Sequence, residues 1–170
     1  TRSELAIIQR HPLYGIDILK KTGILDIGLL TAVKEQHEYY DGMGYPSGLM
    51  GERISKLARI ITIANVYDNL CNNMDRAKRM TPYETLSYMY TKQQQHLDME
   101  LFSLFIRGMG IYPPGTFVKL SNGDIGIVVP INSRNPLKPS LLLYDSHIPR
   151  EEALICEMED NDINIEKSVR

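Results

Sequence analysis

The stretch Gln36-His37-Glu38-Tyr39-Tyr40-Asp41-Gly42-Met43-Gly44-Tyr45-Pro46 sets His37, Glu38 and Asp41, side chains able to hold a metal, against a segment that no helix can absorb. Imidazole and carboxylate are the N and O donors that transition metals take from proteins. Two glycines two residues apart and then a proline force the backbone out of helical geometry. A His-Glu pair that ends a helix and runs into such a loop suits a site where side chains meet a ligand. The plainer reading stays open beside it. Glu38 can be a helix-terminus residue and Asp41 a turn residue, because aspartate before glycine favours turns.

The elements that must position this stretch read as helical over the first two-thirds of the chain. Ser3 can cap a helix carrying Leu5, Ile7 and Ile8, with Glu4 in its acidic first turn. Pro12 suits the first position of a second helix with Leu13, Ile16 and Leu19 on one side, and Gly23 ends it. A third helix is expected over about 26–39, with Leu29, Leu30 and Val33 inward. After the loop, about 55–71 is apolar almost all round (Leu57, Ile60, Ile61, Ile63, Ala64, Val66, Leu70), which places it at the centre of a bundle. Thr81-Pro82-Tyr83-Glu84 is a capping box with proline at the first helical position, and a last helix follows Asp98. The pattern changes at Gly110-Ile111-Tyr112-Pro113-Pro114-Gly115. Runs at 116–120 and 125–129 flank Ser121-Asn122-Gly123-Asp124, and Asn-Gly between apolar runs signals a hairpin. Residues 141–144 and 153–156 look like further strands, and the tail from Glu157 is expected to fray in part. The fold class is therefore mainly α, a helical bundle over residues 1–110, followed by a small antiparallel β-module over 111–157 and a tail at 158–170.

Bulk properties exclude several classes. With 170 residues, 43% hydrophobic and 24% charged, the composition is that of a globular protein. A formal net charge of −2 gives no basic field for a nucleic acid polymer or an anionic membrane. No apolar run reaches membrane-spanning length, and the first residues carry no secretory pattern. Cys71 and Cys156 are far apart and outside any Cys-x-x-Cys pair, which reads as two buried thiols in a reducing, cytoplasmic setting. A start at Thr1 rather than Met reads as a fragment or a processed product.

As a whole string, the loop resembles the His-His-Glu-x-x-Asp-Gly-x-Gly-Tyr-Pro signature of HD-GYP domains. These belong to the HD metal-dependent phosphohydrolases, and active members hydrolyse cyclic dinucleotides such as cyclic di-GMP. His11-Pro12-Leu13-Tyr14-Gly15 is similar to the family's His-Pro-x-x-Gly element. Gly48-Leu49-Met50-Gly51-Glu52-Arg53-Ile54, then Ala58-Arg59-Ile60, resembles its Gly-Leu-x-Gly-x-x-Ile and Ala-Arg-Ile stretch. Ala64-Asn65-Val66-Tyr67-Asp68-Asn69-Leu70 resembles Ala-Asp-x-Tyr-Asp-Ala-Leu. The likeness covers residues 1 to about 110 in the family's order, making this part an HD-type bundle. The stretch from Tyr112 to Gly123 is similar to an extension that follows many HD-GYP domains.

The resemblance implies two or three iron or manganese-type ions in active members, held by histidines and carboxylates, which activate water and carry phosphoryl charge. It makes His11 and His37 candidate metal ligands. Gln36 stands where the first histidine of the pair belongs and Asn65 where a ligating aspartate belongs. An amide is a poor substitute for either. The His-Asp dyad that names the superfamily is expected N-terminal to His11. The resemblance thus implies a degenerate, regulatory module, with no cofactor expected in this chain. The alternatives are an active phosphodiesterase completed by an upstream half, and a purely structural interaction module. Arg59, Arg76 and Lys78 are the candidate cations for a nucleotide phosphate, although Arg59 can equally pair with a buried carboxylate. Asp68 is a candidate to hold the loop by hydrogen bonds. The loop Asp41, Gly42, Met43, Gly44, Tyr45, Pro46 is the candidate contact surface for diguanylate cyclase (GGDEF) domains. A cyclic dinucleotide, and a regulatory or N-terminal domain of the same protein, are the other expected partners. His96 and His147 read as solvent-facing.

Overall fold

A computed structural model describes residues 2–130, 138–144, 155–158 and 163–169. Helices α1 (Arg2–Ile8), α2 (His11–Lys21), α3 (Ile27–Glu35), α4 (Lys56–Cys71), α5 (Pro82–Lys92) and α6 (Met99–Met109) precede strands β1 (Phe117–Leu120), β2 (Ile125–Val128), β3 (Ser140–Tyr144), β4 (Ile155–Glu157) and β5 (Ile165–Val169). This is a mainly α chain with a small antiparallel β-module at its C-terminal end. Two compact units are distinguished, Thr1–Asn69 with Met89–Ser103 and Leu70–Tyr88 with Leu104–Arg170. Among the described residues no helix is long and apolar enough to cross a membrane.

Local chemistry sets most helix boundaries. Pro12 occupies the first turn of α2, where its missing N–H costs nothing, and the chain leaves this helix through Gly23 at φ 85°. Ser3 lies within α1, which begins at Arg2. The Asp26 side chain caps α3 by accepting from Leu29 N–H at 2.7 Å. At Thr81 the capping box closes in both directions: Thr81 N–H donates to Glu84 Oε2 (2.8 Å) and Glu84 N–H donates to Thr81 Oγ1 (3.2 Å). Asp98 caps α6 through Glu100 N–H and Leu101 N–H.

Helix α3 is shorter than the sequence pattern suggests, ending at Glu35 instead of near Tyr39. Its buried residues are Ala32 and Glu35, whereas Leu29 is exposed. Helix α4 buries Ala58, Thr62 and Ile63 but leaves Leu57 and Ile60 exposed, so it is covered on one face and not all round. Ile54, Leu97 and Phe102 complete the largest buried apolar side chains of the first unit, with Met89.

The sheet of the second unit runs β4-β3-β2-β1-β5, antiparallel throughout. The Asn-Gly turn is present: Gly123 takes φ 93° and donates to Leu120 O, while Leu120 N–H donates to Asp124 O. Val118, Leu120, Val128, Leu141 and Met158 form a buried cluster, with Tyr112, Leu143, Ile163 and Ile165 packed against it. Residues 165–169, which the sequence pattern places in the tail without a strand, form β5, which pairs with β1 along Phe117–Val169 and Val118–Ser168. Of the strand expected at 153–156, the structure describes Ile155 and Cys156, in β4; His147 lies outside the described residues. Cys71 and Cys156 are half-buried rather than buried, and Cys71 Sγ lies 3.3 Å from Thr85 Oγ1.

Candidate functional site

The loop after α3 is built around two buried carboxylates. Glu38, 1% exposed, accepts from Ser47 N–H through Oε1 (2.6 Å) and from Leu49 N–H through Oε2 (2.9 Å). Glu35 accepts from Ser55 N–H (2.8 Å), just before α4. A buried charge persists only where hydrogen bonds replace its water, and here backbone amides of the loop do so. The Thr62 hydroxyl donates to Gln36 O at 3.0 Å and lies 3.3 Å from Glu38 O, fastening α4 to the end of α3. The loop closes on itself through Gly42 N–H to Tyr39 O, Gly51 N–H to Tyr40 O, and a bridge between Asp41 and Met50. Gly44 lies so close to the backbone of residues 37–39 that a Cβ there would overlap Tyr39 N.

This fold-back brings His11, His37 and Tyr45 together. Tyr45 N–H donates to His37 O at 3.0 Å, and its ring stacks on the His37 imidazole with centroids 4.9 Å apart. His11 meets the His37 ring edge-on at 4.7 Å, and the two Nε2 atoms are 2.9 Å apart. Their proton positions follow from their partners. His11 Nδ1 lies 2.8 Å from Ile8 O, a pure acceptor, so His11 carries its proton on Nδ1 when neutral. His37 must then donate through Nε2. Burial, and then the neighbouring His11, lower the His37 pKa, favouring its neutral form. Its Nδ1 is left as an acceptor facing Asn65 Nδ2 at a long 3.5 Å. Burial, and then Tyr39, push the Tyr45 phenol pKa up.

As a metal site this arrangement is partial. Two nitrogens 2.9 Å apart match neighbouring donors on one ion, since bonds of about 2.1 Å at right angles place them about 3 Å apart. Among the described residues, however, no group of three His, Cys, Asp or Glu side chains stands together to hold an ion. The residues present do not fit a centre of several ions, each needing close to six donors.

The family model of the HD domain matches residues 1–101 of the chain. The chain belongs to the HD-domain family. Similar curated proteins place it with the HD-GYP type. It is 32% identical over 146 residues to a cyclic di-GMP phosphodiesterase of Pseudomonas aeruginosa, covering 86% of this chain and 35% of that protein. It is 34% identical over 110 residues to the cyclic di-GMP phosphodiesterase response regulator RpfG of Xanthomonas campestris pv. campestris, covering 64% and 29%. A 3'3'-cGAMP-specific phosphodiesterase of Vibrio cholerae is 30% identical over 111 residues, covering 65% and 24%. The chain thus spans about a third or less of the length of these relatives.

Within this HD-GYP-type domain, the structure brings His11, His37 and Asn65 into one cluster with Tyr45. Gln36 is the residue that follows α3 as its C-cap, and it contributes its carbonyl to Thr62. Arg59 is engaged: its Nη1 donates to Asp98 Oδ2 at 2.6 Å, and its Nε is buried without a hydrogen-bond partner among the described residues. Arg76 and Lys78 are exposed on a short 3-10 turn of the second unit, with Lys78 3.3 Å from Asp75. The loop divides into two parts, since Met43 is 76% exposed whereas Tyr45 is turned onto His37.

His96 corrects the sequence reading. Instead of facing solvent, it donates from Nδ1 to Asp41 Oδ2 at 2.8 Å and stacks against Tyr39 with centroids 4.7 Å apart. Glu38 and Asp98 also do more than the sequence reveals, where the first reads as a helix-end residue and the second as a helix start. Each is an acidic residue at a helix boundary, a signal that fits many roles.

Proposed function

We propose that this chain is the C-terminal part of a degenerate, regulatory HD-GYP domain in a cyclic-dinucleotide signalling protein, serving recognition rather than hydrolysis. The observation that carries this reading is Asn65. Where active HD-GYP members are expected to place a ligating carboxylate, this chain points an amide toward His37 Nδ1. With Gln36 in place of a histidine as well, a negative charge and an imidazole are both lost. The names of the relatives point to a cyclic dinucleotide as ligand. Arg76 and Lys78, both exposed, are the cations proposed to meet its phosphates. Arg59, held on Asp98, supports the helices in this reading. The protein partner proposed is a diguanylate cyclase domain, docking on the outer arc of the loop around Met43, with Met50, also exposed, beside it through the Asp41–Met50 bridge.

The second reading, an active phosphodiesterase completed by upstream residues, is favoured by the spacing of the two Nε2 atoms. Metal binding separates the two. Dialysed protein is expected to retain iron, manganese or zinc well below one equivalent. Stoichiometric metal lost in His37→Ala would favour the enzyme. Gln36→His with Asn65→Asp is expected to restore metal affinity only in a longer chain that carries the upstream His-Asp segment, with effects that couple rather than add. Stoichiometric metal in the 170-residue chain bearing these two changes alone would contradict this.

The loop is tested separately. Met43→Ala is expected to weaken capture of diguanylate cyclase domains at unchanged Tm, because the side chain is mostly exposed. Tyr45→Ala is expected to lower Tm by several degrees through loss of its stacking on His37. Unchanged capture by Met43→Ala would remove the outer arc from the interface.

A further inference from the structure

A residue 55 positions from Asp41, His96, helps to hold the exposed arc of the loop in place. Asp41 uses both oxygens: Oδ1 accepts from Met43 N–H at 3.0 Å, and Oδ2 accepts from His96 Nδ1 at 2.8 Å. In the second bond the imidazole Nδ1–H donates and the carboxylate oxygen accepts. His96 is anchored in turn. Its carbonyl accepts from Tyr40 N–H at 2.9 Å, and its imidazole lies against the Tyr39 ring at an interplanar angle of 27°. It ends the short 3-10 turn Gln94–His96, between α5 and α6, two residues before the buried Asp98 that holds Arg59. The loop residue most open to a partner, Met43, therefore takes its backbone position from an aspartate that is itself oriented by His96.

We propose that His96 is a positioning residue for the recognition arc of the loop. Its Nδ1–H holds the Asp41 carboxylate in the rotamer that pins Met43 N–H, and so presents the Met43 side chain outward in one orientation. This rests on the reading of the loop as a partner surface, but its first consequence is purely conformational. Without the His96 donor, Asp41 can turn to water and Met43 N–H loses its acceptor. The connection between α5 and α6 then becomes a place from which the loop can be released without touching the loop itself.

The experiment is residue-resolved amide exchange on the whole chain, read at Met43 against amides within α4. Three variants separate the interactions. His96→Phe keeps a ring on Tyr39 and removes the donor. His96→Asn places an amide N–H near the Nδ1 position. His96→Gln places it one bond further out. Exchange at Met43 is expected to rise about tenfold or more in His96→Phe and His96→Gln, with α4 unchanged, and to return toward wild type in His96→Asn. Equal acceleration at Met43 and in α4, or no change at Met43 in any variant, would overturn the proposal. Should His96→Phe not fold, the contrast between Asn and Gln gives the same answer. Capture of a diguanylate cyclase domain by the same proteins forms the second arm. Released exchange with unchanged capture would retain His96 as the positioning residue and reject the loop as the partner surface. Released exchange with capture lost in Phe and Gln but kept in Asn supports both.

Discussion

Gly44→Ala is expected to destabilise the first unit by about 3 kcal/mol or more, with a fall in Tm of about 6–12 °C. A Cβ built at this position overlaps Tyr39 N and comes within 2.5 Å of Glu38 Cα and His37 O. All three are backbone atoms of residues 37–39, just beyond the end of α3, so no flexible side chain can swing aside. The loop would have to lift from the helix end. That would take the Tyr45 N–H from His37 O and the Ser47 and Leu49 amides from the Glu38 carboxylate. The effect should therefore spread beyond a local clash. Gly108→Ala is the control, an exposed position in α6 with nothing within 4 Å of an added Cβ. It is expected to be neutral or to raise Tm slightly, since alanine is the better helix former by about 1 kcal/mol. Thermal melts of the two variants decide the matter. Similar small shifts for both would mean that the loop does not lie on the helix end as described.

Asp98→Ala is expected to cost about 3–5 kcal/mol. Asp98, 8% exposed, pairs with Arg59 at 2.6 Å and also caps α6. Removing it strands a guanidinium whose Nε already has no partner among the described residues. The cap alone accounts for about 1 kcal/mol of this, the orphaned charge for the rest. A double-mutant cycle tells the two apart. Arg59→Met in the Asp98→Ala background should recover most of the loss, because replacing both members of a buried pair with apolar atoms is far less costly than breaking it. If the double variant is no more stable than Asp98→Ala, the lost cap explains most of the destabilisation and the ion pair contributes little.

What can be seen in the sequence is whatever is decided within a few residues. The Thr81–Glu84 box, the Asn-Gly hairpin and Gly23 after α2 each combine a residue type with a local backbone need, and each is present in the structure. Helix α3 reads too long in the sequence because Gln36 to Tyr39 carry no breaker. What ends it is a set of bonds to residues further along: Glu38 to the Ser47 and Leu49 amides, and His37 O to Tyr45. His96 reads as solvent-facing for the same reason, since a histidine between Gln95 and Leu97 shows nothing of an aspartate 55 positions away. Strand β5 escapes the sequence pattern because Ile165-Glu166-Lys167-Ser168-Val169 is too polar to announce a strand, and its pairing comes from β1. The candidate site is legible as the family's motif positions. The stacking of Tyr45 on His37, and the direction of the hydrogen bonds through His11 and His37, require coordinates.

Strand β5 has a practical consequence. It is the segment that closes one side of the sheet by pairing with β1. A version of this chain shortened before Ile163 would leave the backbone N–H and C=O groups of β1 along that side without their partners, beside a cluster that has lost Ile163 and Ile165. A bare strand next to uncovered apolar side chains is a template for self-pairing. Expression work that trims these residues as dispensable tail should therefore yield aggregates, whereas fusions placed after residue 170 leave that pairing intact.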